Sequence, residues 1–193
     1  MPTTTYDDGL DRDVEGFKIG TELGTEAAIV KYGSIDTEWS DLALVGSVEE
    51  MLAEGMDILD IGGESTRPGY EQISSEEEID RVAPVIEAVK QRFQVPVSLD
   101  TYKSKVARAG IASGADLIND IWGLKYDEDM AAVIAKSGVA CCLMHNRDNT
   151  NYYDLMDDIK DDLNESVRIA LTAGIPKDKI MLDPGIGFGK TYE

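Results

Sequence analysis

The sequence predicts an α/β fold built on a parallel sheet, and three observations carry that reading. Helical stretches alternate strictly with short apolar runs, the signature of repeated βα units. The apolar runs are brief and rich in Val, Ile and Leu, as expected of strands covered on both faces. Gly55, Gly114, Gly138 and Gly174 stand where helical stretches end, the position of a left-handed cap. Two architectures satisfy all three: an open doubly wound sheet and a (β/α)8 barrel. Both build ligand sites at the C-terminal ends of the strands.

Each element has its own local signal. Residues 47–54 have helical periodicity, and Asp57–Ile61 reads as a strand. Ser75 and the acids Glu76, Glu77 and Glu78 open the next helix. Ile79, Val82, Val85, Ile86 and Val89 then recur at spacings of three and four, giving it one apolar face. Pro84 lies inside that pattern and is expected to kink it. Val95–Leu99 is a strand, Lys103–Ser113 a helix and Asp116–Asn119 a strand. Asp127–Ser137 is a helix and Val139–Met144 a strand; Tyr153–Ala173 is a long helix and Lys179–Leu182 the last strand.

Composition narrows the function classes. At 193 residues the chain is expected to be one domain, residues 1–193, by the measure of about 150 residues per domain. Acids outnumber bases 38 to 18, and the resulting charge of −20 repels phosphate backbones, which argues against nucleic acid and anionic membranes as partners. No apolar run approaches the roughly 20 residues that cross a bilayer. The first residues, Met1 to Asp13, lack the basic and apolar regions of a signal peptide. Cys141 and Cys142 are adjacent inside an apolar run, where disulfide geometry is hard to reach; they read as packing residues in a reducing, cytoplasmic compartment.

Polar residues gather at the strand ends. Gly62 to Gly69 comes after the first run, Asp100 and Thr101 after the second, Asn119 and Asp120 after the third. His145, Asn146 and Arg147 come after Met144, and Asp183 opens the Gly-rich stretch through Thr191. Asp100, Asn119 and Asp183 suit the edge of a flat heterocycle, because carboxylates accept from ring N–H and amino groups while an amide both donates and accepts. Arg67 among the glycines suits an anion. Helix capping is the competing reading for Asp100 and Asn119 taken singly. Gly185 to Thr191 imitates a phosphate-binding P-loop, but Pro184 occupies its required first glycine. His145, the single histidine, has no zinc-like spacing with the two cysteines.

Four strings together resemble the dihydropteroate synthases of the folate pathway, a pterin-binding family. They are Asp60-Ile61-Gly62-Gly63-Glu64-Ser65-Thr66-Arg67-Pro68-Gly69, Ser98-Leu99-Asp100-Thr101, Leu117-Ile118-Asn119-Asp120-Ile121, and Leu182-Asp183-Pro184-Gly185-Ile186-Gly187-Phe188-Gly189-Lys190-Thr191. The resemblance runs from about Ser47 to Glu193 and implies a (β/α)8, TIM-type barrel. It implies condensation of 4-aminobenzoate with a 6-hydroxymethyl-7,8-dihydropterin diphosphate, releasing diphosphate. By resemblance, Asp100, Asn119 and Asp183 hold the pterin, Met144 lines its pocket, Thr66 and Arg67 shield the reacting centre on the aminobenzoate side, and Gly187 and Phe188 wall the aminobenzoate site. Asp183, Thr66 and Arg67 are the expected catalytic residues. Magnesium is the implied cofactor.

Two departures accompany the match. The family's Asn-bearing loop after its first strand is not matched within residues 1–46; Asp36 is a substitute magnesium ligand by residue type only. The chain ends in the loop after the sixth expected strand, so the expected barrel is incomplete at about six βα units, and the family-type homodimer is in doubt. Two alternatives stay open: a truncated, non-catalytic pterin-binding homologue, and a relative of the methyltetrahydrofolate-type methyltransferases. The Glu64-to-Gly69 string favours the synthase over the latter.

Overall fold

The computed structural model describes residues 48–64 and 71–190, and the backbone of residues 19–20. Among them six parallel strands form one sheet: β1 (Ile19–Gly20), β2 (Ile58–Gly62), β3 (Val97–Asp100), β4 (Leu117–Asp120), β5 (Ala140–Met144) and β6 (Ile180–Asp183). A helical segment at 48–53 precedes β2. The crossovers are α1 (Ser75–Arg92), α2 (Ser104–Ser113), α3 (Met130–Ser137) and α4 (Leu155–Ala173).

Strand order decides between the two architectures. The strands neighbour one another in chain order, β1 through β6, every pair parallel. A doubly wound sheet must reverse direction at a switch point; this one never does. Right-handed crossovers that always advance the same way put every helix on one face. That is the arrangement of a barrel wall, of which the described residues form a part.

The helix boundaries have local causes. Ser74 Oγ accepts from Glu77 N at 3.1 Å and caps α1, whose first turn holds Glu76, Glu77 and Glu78 and whose last turn holds Lys90 and Arg92, both favourable to the helix dipole. Pro84 does not end α1, which continues to Arg92. Helix α2 takes its cap from a distance: Asp127 Oδ2 accepts from Ser104 N at 2.7 Å. The same residue delays α3 to Met130, because its other carboxylate oxygen and its carbonyl close a turn onto Asp129 N and Met130 N. Asp154 caps α4 by accepting from Met156 N and Asp157 N, so that helix begins at Leu155.

Period-two alternation sorts the strand side chains. Leu59, Ile61, Val97, Leu99, Ile118, Cys141 and Leu143 join Val82, Ile86, Val89, Val106 and Ile134 from the helices in one core. Full burial of each such aliphatic side chain is worth roughly 1.5–3 kcal/mol. Contact is close where α2 crosses β3, since a Cβ on Gly110 would overlap Leu99 Cδ2. The opposite face, free of helices among the described residues, therefore receives Asp60, Ser98, Asp100, Asn119, Cys142, Met144 and Asp183.

Candidate functional site

Register aligns these residues into rows. Gly62, Asp100, Asn119, Cys142 and Met181 are successive Cα partners across five strands. Asp60 pairs with Ser98 one row nearer the strand N-termini, and Met144 pairs with Asp183 one row nearer the C-termini. Neighbouring strands lie about 4.8 Å apart, so Asp100 and Asn119 stand one side-chain spacing from each other. Asp100, Asn119, Met144 and Asp183 are thus brought onto one face, at the end where α/β folds bind ligands.

This face is electrostatically unusual. Burial pushes the Asp100 carboxyl well above the usual carboxylate range, and the charges of Asp60, Glu78, Asp120 and Glu64 push the same way. Asp60 is raised to about 6, again chiefly by burial, against a lowering hydrogen bond from Ser98. Four buried side-chain polar atoms have no partner among the described residues, and Asp60 Oδ1 and Asp100 Oδ1 are two of them. An orphaned buried acceptor typically costs about 1–3 kcal/mol. Two on the same face mark a place built for a donor from outside. Capping does not account for Asp100, because α2 is capped by Asp127. It does not account for Asn119 either: the turn after β4 is held by Asp120, which accepts from Trp122 N and Leu124 N.

The outer wall is apolar. Met144 packs with Tyr102 and Ile121, with Trp122 and Phe188 against them. Gly187 adopts φ +92 with open space where a Cβ would stand. Asp183 Oδ1 accepts from Gly185 N at 2.7 Å, which fixes that carboxylate at the start of the loop carrying Gly187 and Phe188. Lys190 draws this loop together, donating to Gly185 O at 2.7 Å, Phe188 O at 2.8 Å and His145 O at 3.4 Å. Its ammonium is spent on carbonyls, which agrees with setting aside the P-loop resemblance.

His145 is buried, and burial, then Lys190, lowers its pKa, favouring the neutral ring. Its Nε2 lies 3.0 Å from Asp162 Oδ2, which also accepts from Arg147 Nε at 2.7 Å. Among the described residues no group of three or more His, Cys, Asp or Glu side chains is arranged to hold a metal ion. Cys141 faces the core and Cys142 the carboxylates; burial pushes both thiols up to about 12. Thr66, Arg67 and Asp36 lie outside the described residues.

Sequence reasoning missed Asp60, Ser98 and Cys142 as members of this face. The signal was present for Ser98 and Cys142, which stand two residues before Asp100 and Met144, and period two puts each pair on the same side. Asp60 then joins them as the register partner of Ser98. Sequence reasoning also missed Lys103, Glu64 and Glu78, which form a buried ion-pair cluster.

The chain is similar to known proteins. The model of the pterin binding enzyme family matches residues 34–193. A dihydropteroate synthase of Clostridium beijerinckii is 63% identical over 149 residues, which are 77% of this chain and 55% of that protein. The crystal structure of a Clostridium difficile dihydropteroate synthase, obtained in the presence of pteroic acid, superposes with a TM-score of 0.80 at 43% identity, covering 84% of this chain and 62% of that one. A Xanthomonas albilineans dihydropteroate synthase with 4-aminobenzoic acid gives 0.75 at 39% identity, covering 82% and 59%. The chain spans about half the length of the curated relatives it matches. With most of its length matched by that family model, the chain belongs to the pterin-binding enzymes.

Proposed function

We propose that this chain carries the pterin half of a dihydropteroate synthase, a transferase that joins 4-aminobenzoate to 6-hydroxymethyl-7,8-dihydropterin diphosphate. The observation that carries the reading is the pair of buried, unpartnered carboxylate oxygens on Asp60 and Asp100, beside Asn119 and below Asp183. A pterin edge supplies the N–H donors those oxygens lack. Relatives crystallised with pteroic acid and with 4-aminobenzoic acid support the same ligand pair.

The chemistry uses the groups present. The C–O bond to diphosphate breaks and leaves positive charge on the exocyclic carbon, spread into the pterin. The Asp183 carboxylate, held by Gly185 N, stabilises that charge where the apolar wall of Met144 and Phe188 excludes water. The aminobenzoate nitrogen then forms the new C–N bond and loses a proton. No protein nucleophile takes part; positioning and electrostatics do the catalysis. Thr66 and Arg67 are assigned to the aminobenzoate side. Magnesium is assigned by resemblance to the diphosphate, and since no described residues converge to hold it, no step is routed through it. Among the described residues no helix is long and apolar enough to cross a membrane, and the free thiols favour a cytoplasmic location.

The test is diphosphate release from the purified chain given both substrates and magnesium. Release that requires both supports the reading. A folded chain that binds the pterin but releases nothing would mark a non-catalytic homologue, and a requirement for a corrinoid would mark a methyltransferase.

A further inference from the structure

Two loops at the C-terminal ends of the strands are fastened to each other. One follows β5 and spans residues 145–154; the other follows β6 and spans residues 184–190. His145 N donates to Asp183 O at 2.8 Å where the two loops begin. A Cβ on Gly185 would overlap His145 O, and one on Gly189 would stand 2.7 Å from Arg147 O, so the backbones touch near both ends of the second loop. That loop carries Phe188, which packs against the cluster of Tyr102, Ile121 and Met144.

Little burial holds the second loop. Ile186 is 66% exposed, Pro184 is exposed and Phe188 is half-buried. Its place therefore rests on hydrogen bonds. Asp183 Oδ1 holds the near end at Gly185 N. Lys190 bonds Gly185 O and Phe188 O, but both lie inside the same loop, and its reach to His145 O is 3.4 Å. Among the described residues, the shortest bond from another element to the far end is Tyr152 OH to Gly189 O, at 2.8 Å.

Tyr152 is aimed from α4. The Arg147 guanidinium carbon lies 4.7 Å from the centre of the Tyr152 ring. Arg147 Nε donates to Asp162 Oδ2 at 2.7 Å, and its Nη1 donates to Asn151 O, next to Tyr152, at 3.1 Å. Burial pushes the Asp162 pKa up, but the bond to Arg147 and the charges of Lys125 and Arg147 more than reverse that, so the carboxylate stays ionised. Burial raises the Tyr152 phenol, which keeps its hydroxyl a donor. A planar cation fixed over the ring restricts the phenol before it bonds Gly189, so less side-chain entropy is lost in making that bond.

We propose that Tyr152 is a positioning residue for the candidate site: aimed by Arg147 and Asp162, its hydroxyl pins the far end of the loop after β6 and so holds Phe188 at the apolar wall. The pin stands on these contacts; that the wall serves 4-aminobenzoate rests on the proposed function.

The test combines hydrogen exchange with calorimetry on the purified chain. Tyr152→Phe keeps the ring and removes only the hydroxyl, and Arg147→Met removes its guide. Each should speed exchange across residues 185–190 by about fivefold, with residues 104–113 unchanged. The two together should do no more than either alone, because both act through one bond. In Tyr152→Phe, affinity for 4-aminobenzoate should fall about fivefold while the thermal midpoint stays close to that of the parent. Unchanged exchange across 185–190 in Tyr152→Phe overturns the proposal. Additive effects of the two substitutions overturn it too, since they would act by separate routes. So does faster exchange with undiminished affinity, or faster exchange everywhere, which is plain destabilisation. A parent chain that does not bind 4-aminobenzoate counts against the proposed function, and the exchange readouts still decide the pin.

Discussion

Asp100 and Asn119 are direct Cα partners on adjacent strands, and both lie on the face that no helix among the described residues covers. A carboxyl group accepts through its carbonyl oxygen whether or not it is protonated, and an amide both donates and accepts. Side by side at one strand spacing, they put acceptor and donor groups together on that face. Asp183 stands one row further towards the strand C-termini, on β6.

Removing the outer carboxylate separates binding from folding. Asp183→Ala should weaken 6-hydroxymethylpterin binding by about 2–3 kcal/mol, the scale of a charge-assisted hydrogen bond. Its circular dichroism should match the parent, because the Asp183 carboxylate's hydrogen bond holds the local turn at Gly185. An unchanged calorimetric affinity would show that the site has been placed wrongly.

The buried acids give stability an inverted pH dependence. Asp60 and Asp100 both bind protons more tightly folded than unfolded, because burial raises their pKa values. Their contribution is therefore complete below the unfolded carboxylate range. It is lost as pH rises through the folded value, about 6 for Asp60. Asp60→Asn should remove part of that loss. Its stability relative to the parent, from urea unfolding, should improve between about pH 4 and about pH 7.5 by at most about 3 kcal/mol. A difference that stays flat with pH would mean Asp60 is not raised.

Gly110 tests how closely α2 lies on the sheet. An alanine within a helix usually gains about 0.5–1 kcal/mol over glycine. At this position the new methyl would overlap Leu99 Cδ2 and stand 3.4 Å from Ile86 Cδ1. Overpacking of that kind costs about 1–3 kcal/mol and outweighs the helix gain. Gly110→Ala should therefore lower the thermal midpoint; a raised midpoint would show the helix is free to move outward.

Local chemistry makes much of this legible in the sequence. Gly55, Gly114, Gly138 and Gly174 all adopt positive φ where the sequence predicts helix ends, because only glycine enters that region without strain. Asp100, Asn119 and Asp183 stand out as the polar residues at the ends of apolar runs, a rule that needs only strand direction. Strand order is not legible, since nothing in a periodicity tells a chain to reverse. The borrowed cap from Asp127 to Ser104 is hidden for the same reason: it joins residues of different βα units. The Lys103 cluster is invisible because it is closed by residues 25 and 39 positions away.

Adjacent residues in a strand face opposite ways, and for Cys141 and Cys142 that makes the sheet a two-channel instrument. Cys141 reports on the core between strands and helices, whereas Cys142 reports on the face that holds the carboxylates. With both thiols raised to about 12, neither should react quickly with a thiol reagent at neutral pH. Labelling of Cys142 should slow further when a pterin fills the face, while Cys141 should label only at the rate of global unfolding. Mass spectrometry of the two modified forms would then read occupancy and unfolding from one sample.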